Sequence, residues 1–375
     1  MPHSRRQPAR LTFGLLLAGI AGAWGCAAGE TDGPPIPSPL LTVADSVVLA
    51  DTGSFALGDL AHASLHVGDD AFWVGDRQNA RIVRFGRDGR VLGQIGRKGR
   101  GPGEIGGAGP FVPLADGSIA MWDYGNGRLA AYDAGDGTLR WEAPVPGMLF
   151  PMQIQAVGDT LWIGVVSVRD GTGAMRLVAG QSRLDRLAPV PAEYREGLGH
   201  SLPYSVALRF GDTLFVGYGG HHRVFLHRDD GRVDSLVVPR RRRRGVPVDL
   251  LQQARAGLAT RTDGKGLENY VSTLMRGARL SDGSVALVYY DVEFDQGGGT
   301  PASVDTWITV VDPAFARACV DARLRLSERS LPSLAFRGDT LFALEHVITG
   351  SETVPVLRAI VISTAGCDWL PVARE

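Results

Sequence analysis

The sequence predicts an all-β protein, a six-bladed β-propeller with a short helical insertion between blades four and five. Three observations lead to this prediction. Six segments share a turn dipeptide followed by an apolar strand, glycine is abundant at 50 residues, and one stretch between the fourth and fifth segments has helical periodicity. Abundant glycine indicates many turns. A segment that recurs along the chain indicates repeated supersecondary units, one for each copy.

The six segments carry most of this prediction. In order, they are DDAFWVGD from Asp69, DGSIAMWD from Asp116, GDTLWIGV from Gly158, GDTLFVGY from Gly211, DGSVALVY from Asp282 and GDTLFALE from Gly338. Asp-Gly and Gly-Asp favour hairpin turns because one turn position takes a positive φ, and the apolar run that follows is typical of a strand buried on both faces. Six such sheets packed around an axis bury those faces, and the hairpins inside each unit favour this packing over a stacked solenoid.

Two regions depart from the repeat. After an arginine run at 240–244, leucines recur at helical spacing and Asp249 is a candidate N-cap, so we predict a helical insertion over residues 239–270. The arginines would meet phosphate or anionic lipid, or form a solvated approach to the helix. The segment 41–51 is predicted to be a lone strand that joins the last blade and closes the ring, so that the propeller covers residues 41–375.

The N-terminus has the features of a targeting segment. Arginines precede an apolar run, Leu11 to Ile20, that is too short to span a bilayer, so we interpret residues 1–26 as a signal peptide. The AWGC motif that ends at Cys26 resembles a lipobox and predicts lipidation of this cysteine. Residues 27–40 would then be a Pro-rich tether. Cleavage after Ala23, which would release a soluble secreted or periplasmic protein, is the alternative.

The residues of the first blade resemble a known repeat. The stretch FWVGDRQNARIVRFGRDGRVLGQIG, residues 72–96, resembles the NHL repeat in its apolar strand, its D-x-x-N-x-R turn and its D-G hairpin. The following GRKGRGPGEI, residues 96–105, is similar to a loop of six-bladed propeller lipoproteins of bacteria. The resemblance implies an exported six-bladed propeller and implies no particular reaction.

The loop GRKGRGPGEI also raises the question of phosphate binding. A Walker A loop requires a Ser or Thr directly after its lysine, whereas Lys98 is followed by Gly99. We therefore predict that this loop connects the outer strand of blade one to the inner strand of blade two, with glycines that permit positive φ. Glu104 remains a candidate for the lining of a ligand mouth.

Polar residues recur where the six apolar strands end. The eighth residue of each segment is, in chain order, Asp76, Asp123, Val165, Tyr218, Tyr289 and Glu345. Because equivalent positions in a propeller meet at one end of the ring, we expect these side chains to share a rim, with an acidic arc where blades six, one and two adjoin. Together with neighbouring polar residues, the ligand-binding candidates are Asp76, Asp123, Tyr218, His221, His222, Tyr289, Asp291, Glu345, His346 and Glu104.

Two interpretations of the acidic arc compete. As a site, it would bind a cationic or sugar-like ligand, or a hard cation through carboxylate oxygens. As structure, the motifs DRQNAR and DYGNGR place Asp, Asn and Arg at one spacing, which favours a turn in which Asp bonds to backbone and Arg neutralises it. We expect no metal and no other cofactor. If Ca²⁺ binds, its ligands would be Asp76, Asp123, Asn126 and Glu345.

Cys319 and Cys367 pose a separate question. We interpret them as opening the outer strands of blades five and six, where equivalent positions lie beyond the ~7 Å limit between bridged Cα atoms. A disulfide then requires that the two positions are not equivalent, for example because the terminal strand folds back. The sequence leaves both outcomes open.

The sequence favours binding over catalysis, since it contains no G-x-S-x-G elbow. The leading hypothesis is an exported, lipid-anchored binding scaffold whose loop-bearing face and central mouth engage a small ligand or another envelope protein. Contact with a membrane through the anchor is expected, and nucleic-acid binding is not, given the net charge of −1. The alternative is a calcium-dependent, lactonase-like hydrolase with its metal at the propeller axis, because six-bladed propellers also house such enzymes.

Overall fold

A computed structural model describes residues 38–375 except 51–52, 61–62, 146, 148, 222, 257–266, 295–300, 327–330 and 351. The predicted signal peptide, Cys26 and nearly all of the predicted tether lie outside these described residues. Among the described residues, no helix combines the length and the apolar character needed to span a bilayer.

Six antiparallel sheets form the six predicted blades. Blade one contains β2 (Ser64–Val67), β3 (Ala71–Asp76), β4 (Arg81–Gly86) and β5 (Val91–Ile95). Blade two contains β6 (Ala108–Pro113), β7 (Ser118–Asp123), β8 (Arg128–Asp133) and β9 (Leu139–Pro144). Blade three contains β10 (Ile154–Val157), β11 (Thr160–Ser167), β12 (Thr172–Val178) and β13 (Asp185–Pro189).

The second half of the ring repeats this arrangement. Blade four contains β14 (Ser205–Phe210), β15 (Thr213–Tyr218), β16 (Arg223–Arg228) and β17 (Val233–Val237). Blade five contains β18 (Thr273–Arg279), β19 (Val285–Phe294), β20 (Pro301–Val311) and β21 (Arg317–Leu324). Blade six contains β22 (Ser333–Arg337), β23 (Thr340–Thr349), β24 (Glu352–Ser363) and, on its outer edge, β1 (Leu40–Val48).

The blades pack side by side into a closed ring. The first strand of each blade contacts the first strand of the next, and β22 of blade six contacts β2 of blade one. Each of six apolar clusters joins two neighbouring blades; for example, Val74 and Val83 of blade one pack with Leu344 and Leu357 of blade six. Strands such as β3 are buried along their whole length because a cluster covers each face. This arrangement confirms the six-bladed propeller.

The N-terminal strand closes the ring as predicted. β1 pairs antiparallel with β24, so that Leu41 lies opposite Ile362. The free edge of blade six is thereby covered by a strand from the other end of the described chain. The prediction that the turn dipeptides adopt positive φ is also confirmed in five of the six segments, at Gly117, Gly158, Gly211, Gly283 and Gly338.

The helical insertion between blades four and five is present within the predicted residues 239–270, but the predicted N-cap is wrong. Helix α1 (Val248–Arg255) starts before Asp249, so this residue lies in the first turn and is not the N-cap. A 3₁₀ turn at Leu267–Tyr270 leads into blade five. A second short helical segment, residues 194–201, lies between blades three and four and was not predicted.

The C-terminal segment folds back over blades five and four. After β24 the chain turns, and β25 (Leu370–Pro371) pairs with β21 while β26 (Ala373–Arg374) pairs with β17. Cys367 lies in this returning segment and does not open an outer strand of blade six. The assignment of Cys367 from the sequence was therefore wrong, and the fold-back brings it to a disulfide with Cys319, with 5.8 Å between the two Cα atoms.

The loop at 96–105 connects β5 to β6, as predicted. Gly96 and Gly103 take positive φ of 80° and 76°. The Glu104 side chain turns back into the loop, where it accepts a hydrogen bond from the backbone N–H of Gly101 at 2.8 Å. An ion pair with Arg97 at 3.1 Å holds its other oxygen. The loop is thus closed on itself by its own glutamate.

Candidate functional site

The predicted acidic arc consists of carboxylates that already have partners. Asp76 accepts hydrogen bonds from the backbone N–H and the side-chain amide of Asn79, at 3.1 and 2.7 Å, and from Nε of Arg81 at 3.2 Å. Its side chain is 1% exposed. The D-x-x-N-x-R motif of blade one therefore forms a turn in which both of the partners proposed from the sequence engage the aspartate.

Blade two repeats this geometry. Asp123 accepts hydrogen bonds from the Asn126 amide at 2.7 Å and from Nε of Arg128 at 3.4 Å, and also from the backbone N–H groups of Gly106 and Gly107. Arg128 in turn donates from Nη2 to the carbonyl oxygen of Glu104 at 2.5 Å. The turn therefore holds the loop that precedes β6 in place, so the role of Asp123 in these contacts is structural.

Glu345 of blade six is also a buried carboxylate paired with an arginine. Nε of Arg358, on the adjacent strand, donates to its carboxylate at 2.5 Å, and the Glu345 side chain is 2% exposed. The neighbouring His346 instead lines a polar cavity of about 730 Å³, together with Asn79, Arg81 and Lys98 among others. Of these rim residues, His346 borders open space and Glu345 does not.

The aromatic and histidine candidates of blade four lie in the protein core. Tyr218 is buried, donates from its hydroxyl to the carbonyl oxygen of Pro189 at 3.1 Å, and packs 5.2 Å from the ring of Tyr194. Burial raises the pKa of the Tyr218 phenol above its ordinary value. His221 is 8% exposed and accepts a hydrogen bond at Nδ1 from the backbone N–H of Arg223. His222 lies outside the described residues.

In blade five, the candidates Tyr289 and Asp291 contact the arginine run. The guanidinium of Arg243 lies 4.0 Å from the centroid of the Tyr289 ring. Asp291 accepts hydrogen bonds from the Ser272 hydroxyl and from Nε1 of Trp307, and its nearest cation is Arg244, at 3.5 Å. Burial raises the pKa of the Asp291 carboxyl despite these contacts.

The arginine run itself is attached to blade five through Asp321. This residue, at a positive φ of 59°, accepts hydrogen bonds from the backbone N–H groups of Arg241, Arg242 and Arg243. Nε of Arg243 also donates to it at 2.5 Å, and both side chains are almost fully buried. Burial acts to raise the pKa of Asp321, but Arg243 and the backbone N–H groups outweigh it and hold that pKa below its ordinary value.

No group of three or more His, Cys, Asp or Glu side chains is arranged to hold a metal ion within the part of the chain that the structure describes. The carboxylates proposed as calcium ligands are engaged separately in their own blades, Asp76 by Arg81 and Asp123 by Arg128. The described residues therefore give no support to a metal centre at the axis.

A different site lies where the central channel opens, beside the rim. We call it the central mouth, a cavity of about 320 Å³ to which all six blades or the segments that enter them contribute. It is lined by Ala63, Ser64, Arg77, Gly109, Pro110, Tyr124, Phe150, Pro151, Met152, Pro203, Tyr204, Met275, Arg276 and Leu331. Aromatic and apolar side chains dominate this lining, and its charged groups are two arginines.

Arg77 and Tyr124 shape one side of the central mouth. The Arg77 guanidinium lies over the Tyr124 ring, 4.7 Å from its centroid. The Tyr124 hydroxyl donates to the carbonyl oxygen of Pro151 at 2.7 Å, and its ring lies 6.0 Å from that of Phe150. Burial raises the pKa of Tyr124 to about 12, so the phenol is neutral at physiological pH.

Arg276 lies on the opposite side, on the innermost strand of blade five. Its Nε donates to the carbonyl oxygen of Leu334 in blade six at 3.2 Å. Its Nη1 is buried and has no hydrogen-bond partner. Among the described residues, no carboxylate forms an ion pair with Arg276, which distinguishes it from Arg81, Arg128 and Arg243.

A glutamine crosses the channel below the central mouth. The side-chain amide of Gln153, just before β10 of blade three, donates to the carbonyl oxygen of Gly277 in blade five at 2.8 Å and accepts from its N–H at 3.1 Å. Beyond it, a second cavity of about 250 Å³ is lined by the inner strands, including His66 and Arg279. Burial lowers the pKa of His66 to about 4, so this imidazole is neutral at physiological pH.

Sequence reasoning proposed a central mouth as a binding place but did not name the residues that line it. In blades one and two, the residues that directly follow the predicted Asp76 and Asp123 line the mouth, namely Arg77 and Tyr124. Both lie in the turns that begin where β3 and β7 end. Arg276 left only a weak signal, since it is one of two arginines in an otherwise mostly apolar inner strand, TLMRGAR.

The sequence matches no protein-family model and none of the curated proteins with which it was compared. The fold is similar to solved structures. A Bacteroides fragilis protein described as exported is 14% identical, with a TM-score of 0.58 and coverage of 86% of this chain and 95% of that one. A Bacteroides vulgatus member of the DUF4221 family is 9% identical, with a TM-score of 0.59 and coverage of 88% and 99%. At these identities the likeness concerns the fold.

Proposed function

We propose that this protein is an exported, lipid-anchored propeller that acts as a binding scaffold, with the central mouth as the site for a small ligand. The observation that carries the proposal is the mouth itself, a cavity of about 320 Å³ formed jointly by all six blades. Small-molecule sites in proteins are concave, mostly apolar and supplied with a few polar groups, and cavities near 300 Å³ are at the small end of their range.

Two further observations support export and anchoring. The basic and apolar N-terminal segment, followed by the AWGC motif at Cys26, has the composition of a cleaved and lipidated leader. One propeller of similar fold is described as an exported protein. We further propose that the D-x-x-N-x-R motifs of blades one and two are NHL-like turns, which hold the neighbouring loops in place.

Ligand-observed NMR with three probes, benzoate, benzyl alcohol and indole, tests the binding site. We expect at least one probe to bind the wild-type protein and to lose binding in Met275→Trp, where the larger side chain fills part of the central mouth. Leu92→Trp, an equal change on the exposed outer surface of blade one, is the control and should bind as wild type does. Equal binding by both variants would exclude the mouth as the site.

Anchoring has its own test, the expression of the full chain in a bacterial host. The wild type should fractionate with membranes and carry the mass of a lipid group on Cys26. Cys26→Ser should fractionate with soluble proteins. A wild-type protein that is soluble and cleaved after Ala23 would contradict the anchor and leave the binding site unaffected.

A further inference from the structure

We infer that the ligand of the central mouth is a small organic anion, with its charge held by Arg276 and its apolar part among the aromatic side chains. This inference rests on the proposed function and names its ligand class. It begins from the contrast between Arg276 and three other arginines. Arg81, Arg128 and Arg243 each meet a carboxylate, whereas the partner of Arg276 among the described residues is the neutral carbonyl oxygen of Leu334.

The surroundings of Arg276 lack negative charge. The described residues that line the central mouth and the cavity below it include the cations Arg77, Arg276 and Arg279 and no aspartate or glutamate. His66 adds no charge at neutral pH and offers no compensation either. Burial lowers the pKa of Arg276, but an arginine remains charged at neutral pH. The site therefore contains a desolvated cation whose counter-ion is missing from the described chain.

Nη1 of Arg276 is a donor whose hydrogen-bonding capacity is unused. This nitrogen is buried and makes no hydrogen bond to the described residues, while Nε donates to blade six. A buried donor without an acceptor is unfavourable, so an incoming oxygen that accepts a hydrogen bond from Nη1 removes this penalty and is bound more tightly. Charge-assisted bonds of guanidinium to carboxylate are among the strongest that side chains form.

The remaining lining indicates an apolar body on the anion. Tyr124 and Phe150 present rings 6.0 Å apart, and Met152, Met275 and Leu331 add aliphatic and thioether surface. Inorganic phosphate would satisfy the arginine and leave this surface uncovered. An aromatic or branched carboxylate covers both, and the volume of about 320 Å³ restricts it to a small molecule.

Calorimetry of the full-length protein with benzoate, with its neutral analogue benzyl alcohol and with inorganic phosphate tests the inference. We expect benzoate to bind more tightly than either of the others, and Arg276→Gln to weaken benzoate by about tenfold or more while benzyl alcohol changes less than about twofold. Arg279→Gln is the matched control, since Arg279 lies on the same strand and lines the lower cavity but not the central mouth. It should leave benzoate affinity within about twofold.

Arg276→Lys retains the positive charge but lacks the paired N–H donors of the guanidinium. This variant should keep a preference for benzoate over benzyl alcohol, so the test does not depend on whether Arg276→Gln folds. In crystals, 4-bromobenzoate should place its bromine in the central mouth by anomalous scattering. Benzyl alcohol that binds there as tightly as benzoate would overturn the anionic ligand and preserve the proposed binding site. If no probe binds in the mouth, both the inference and the proposed function are wrong.

Discussion

The acidic turns of blades one and two and the arginine of blade five border the same opening of the ring, yet they stand in opposite electrostatic situations. Asp76 and Asp123 are buried carboxylates that have an arginine, an asparagine and backbone N–H groups around them. Arg276 is a cation whose Nη1 is buried without a partner. Among the described residues, the first kind of charge is neutralised within its own blade and the second has no counter-charge.

The difference teaches how to separate structural from functional polar residues in a repeat protein. A charge that recurs in several blades with the same partners belongs to the repeat, because each blade solves the same turn in the same way. A charge that occurs in one blade, without a partner from any described neighbour, is not explained by the repeat. The distinction predicts different changes in the free energy of unfolding for the two kinds of residue. Four variants test these changes.

The largest effect is expected at the most buried pair, Arg243 and Asp321. Asp321→Asn removes the charge that compensates Arg243 and weakens three backbone hydrogen bonds. Breaking a buried pair on one side costs about 3–5 kcal/mol, so we expect the free energy of unfolding to fall by that amount in urea denaturation. A loss below about 1 kcal/mol would show that paired charges here are dispensable.

The next effect is a pH dependence caused by His66 in the channel. Its pKa is lowered to about 4 in the folded protein, against an ordinary value of 6.5. Between these values the unfolded chain binds a proton that the folded chain does not, so stability is full above pH 6.5 and falls as the pH decreases toward 4. The loss amounts to at most about 3 kcal/mol.

Denaturation curves of wild type and His66→Gln between pH 7 and 4 isolate this contribution. The variant should lose less stability than the wild type over that range. His200→Gln, at an exposed position, is the control and should follow the wild-type curve. Parallel curves for wild type and His66→Gln would mean that the His66 imidazole can be protonated inside the folded protein without a loss of stability.

A smaller effect is expected at Asp123, because several groups share its charge. Asp123→Asn should lower the free energy of unfolding by about 2 kcal/mol, since it weakens the contacts with Gly106, Gly107 and Arg128. A double-mutant cycle with Arg128→Met separates the pair from the other contacts. Strict additivity of the two changes would contradict a coupled turn.

The smallest effect on stability is expected at Arg276, the residue that we propose binds the charge of the ligand. Arg276→Met replaces an uncompensated buried cation by an apolar side chain, which is neutral or stabilising in other proteins. We expect a change within about 1 kcal/mol by urea denaturation. A loss of more than about 2 kcal/mol would place Arg276 with the structural charges and remove the contrast on which the ligand class depends.

The fold could be predicted from the sequence because each blade has its own local sequence signals. A turn with glycine, as at Gly117 or Gly283, and the apolar run behind it are short-range signals that no distant residue alters. The end of the chain was harder. The turn at Cys367 could be assigned only when its partners on blade five were known, since nothing within the segment distinguishes a fold-back from another strand.

The candidate site was less accessible for a similar reason. The motifs around Asp76 and Asp123 draw attention because they repeat, and repetition favours structure. What makes Arg276 unusual is the lack of carboxylates along the described channel lining, which inner strands from six parts of the chain determine together. No local pattern records such a property.

The pairing of β1 with β24 also sets an order of events during synthesis. Leu41 cannot meet Ile362 until nearly the whole chain has been made, so the first strand must wait through the production of every blade. A chain that is threaded through a membrane with this end first would hold an exposed, pairing-competent strand for the entire passage. Because contacts between distant parts of a chain form slowly, β1 remains open to wrong pairing until synthesis is nearly complete.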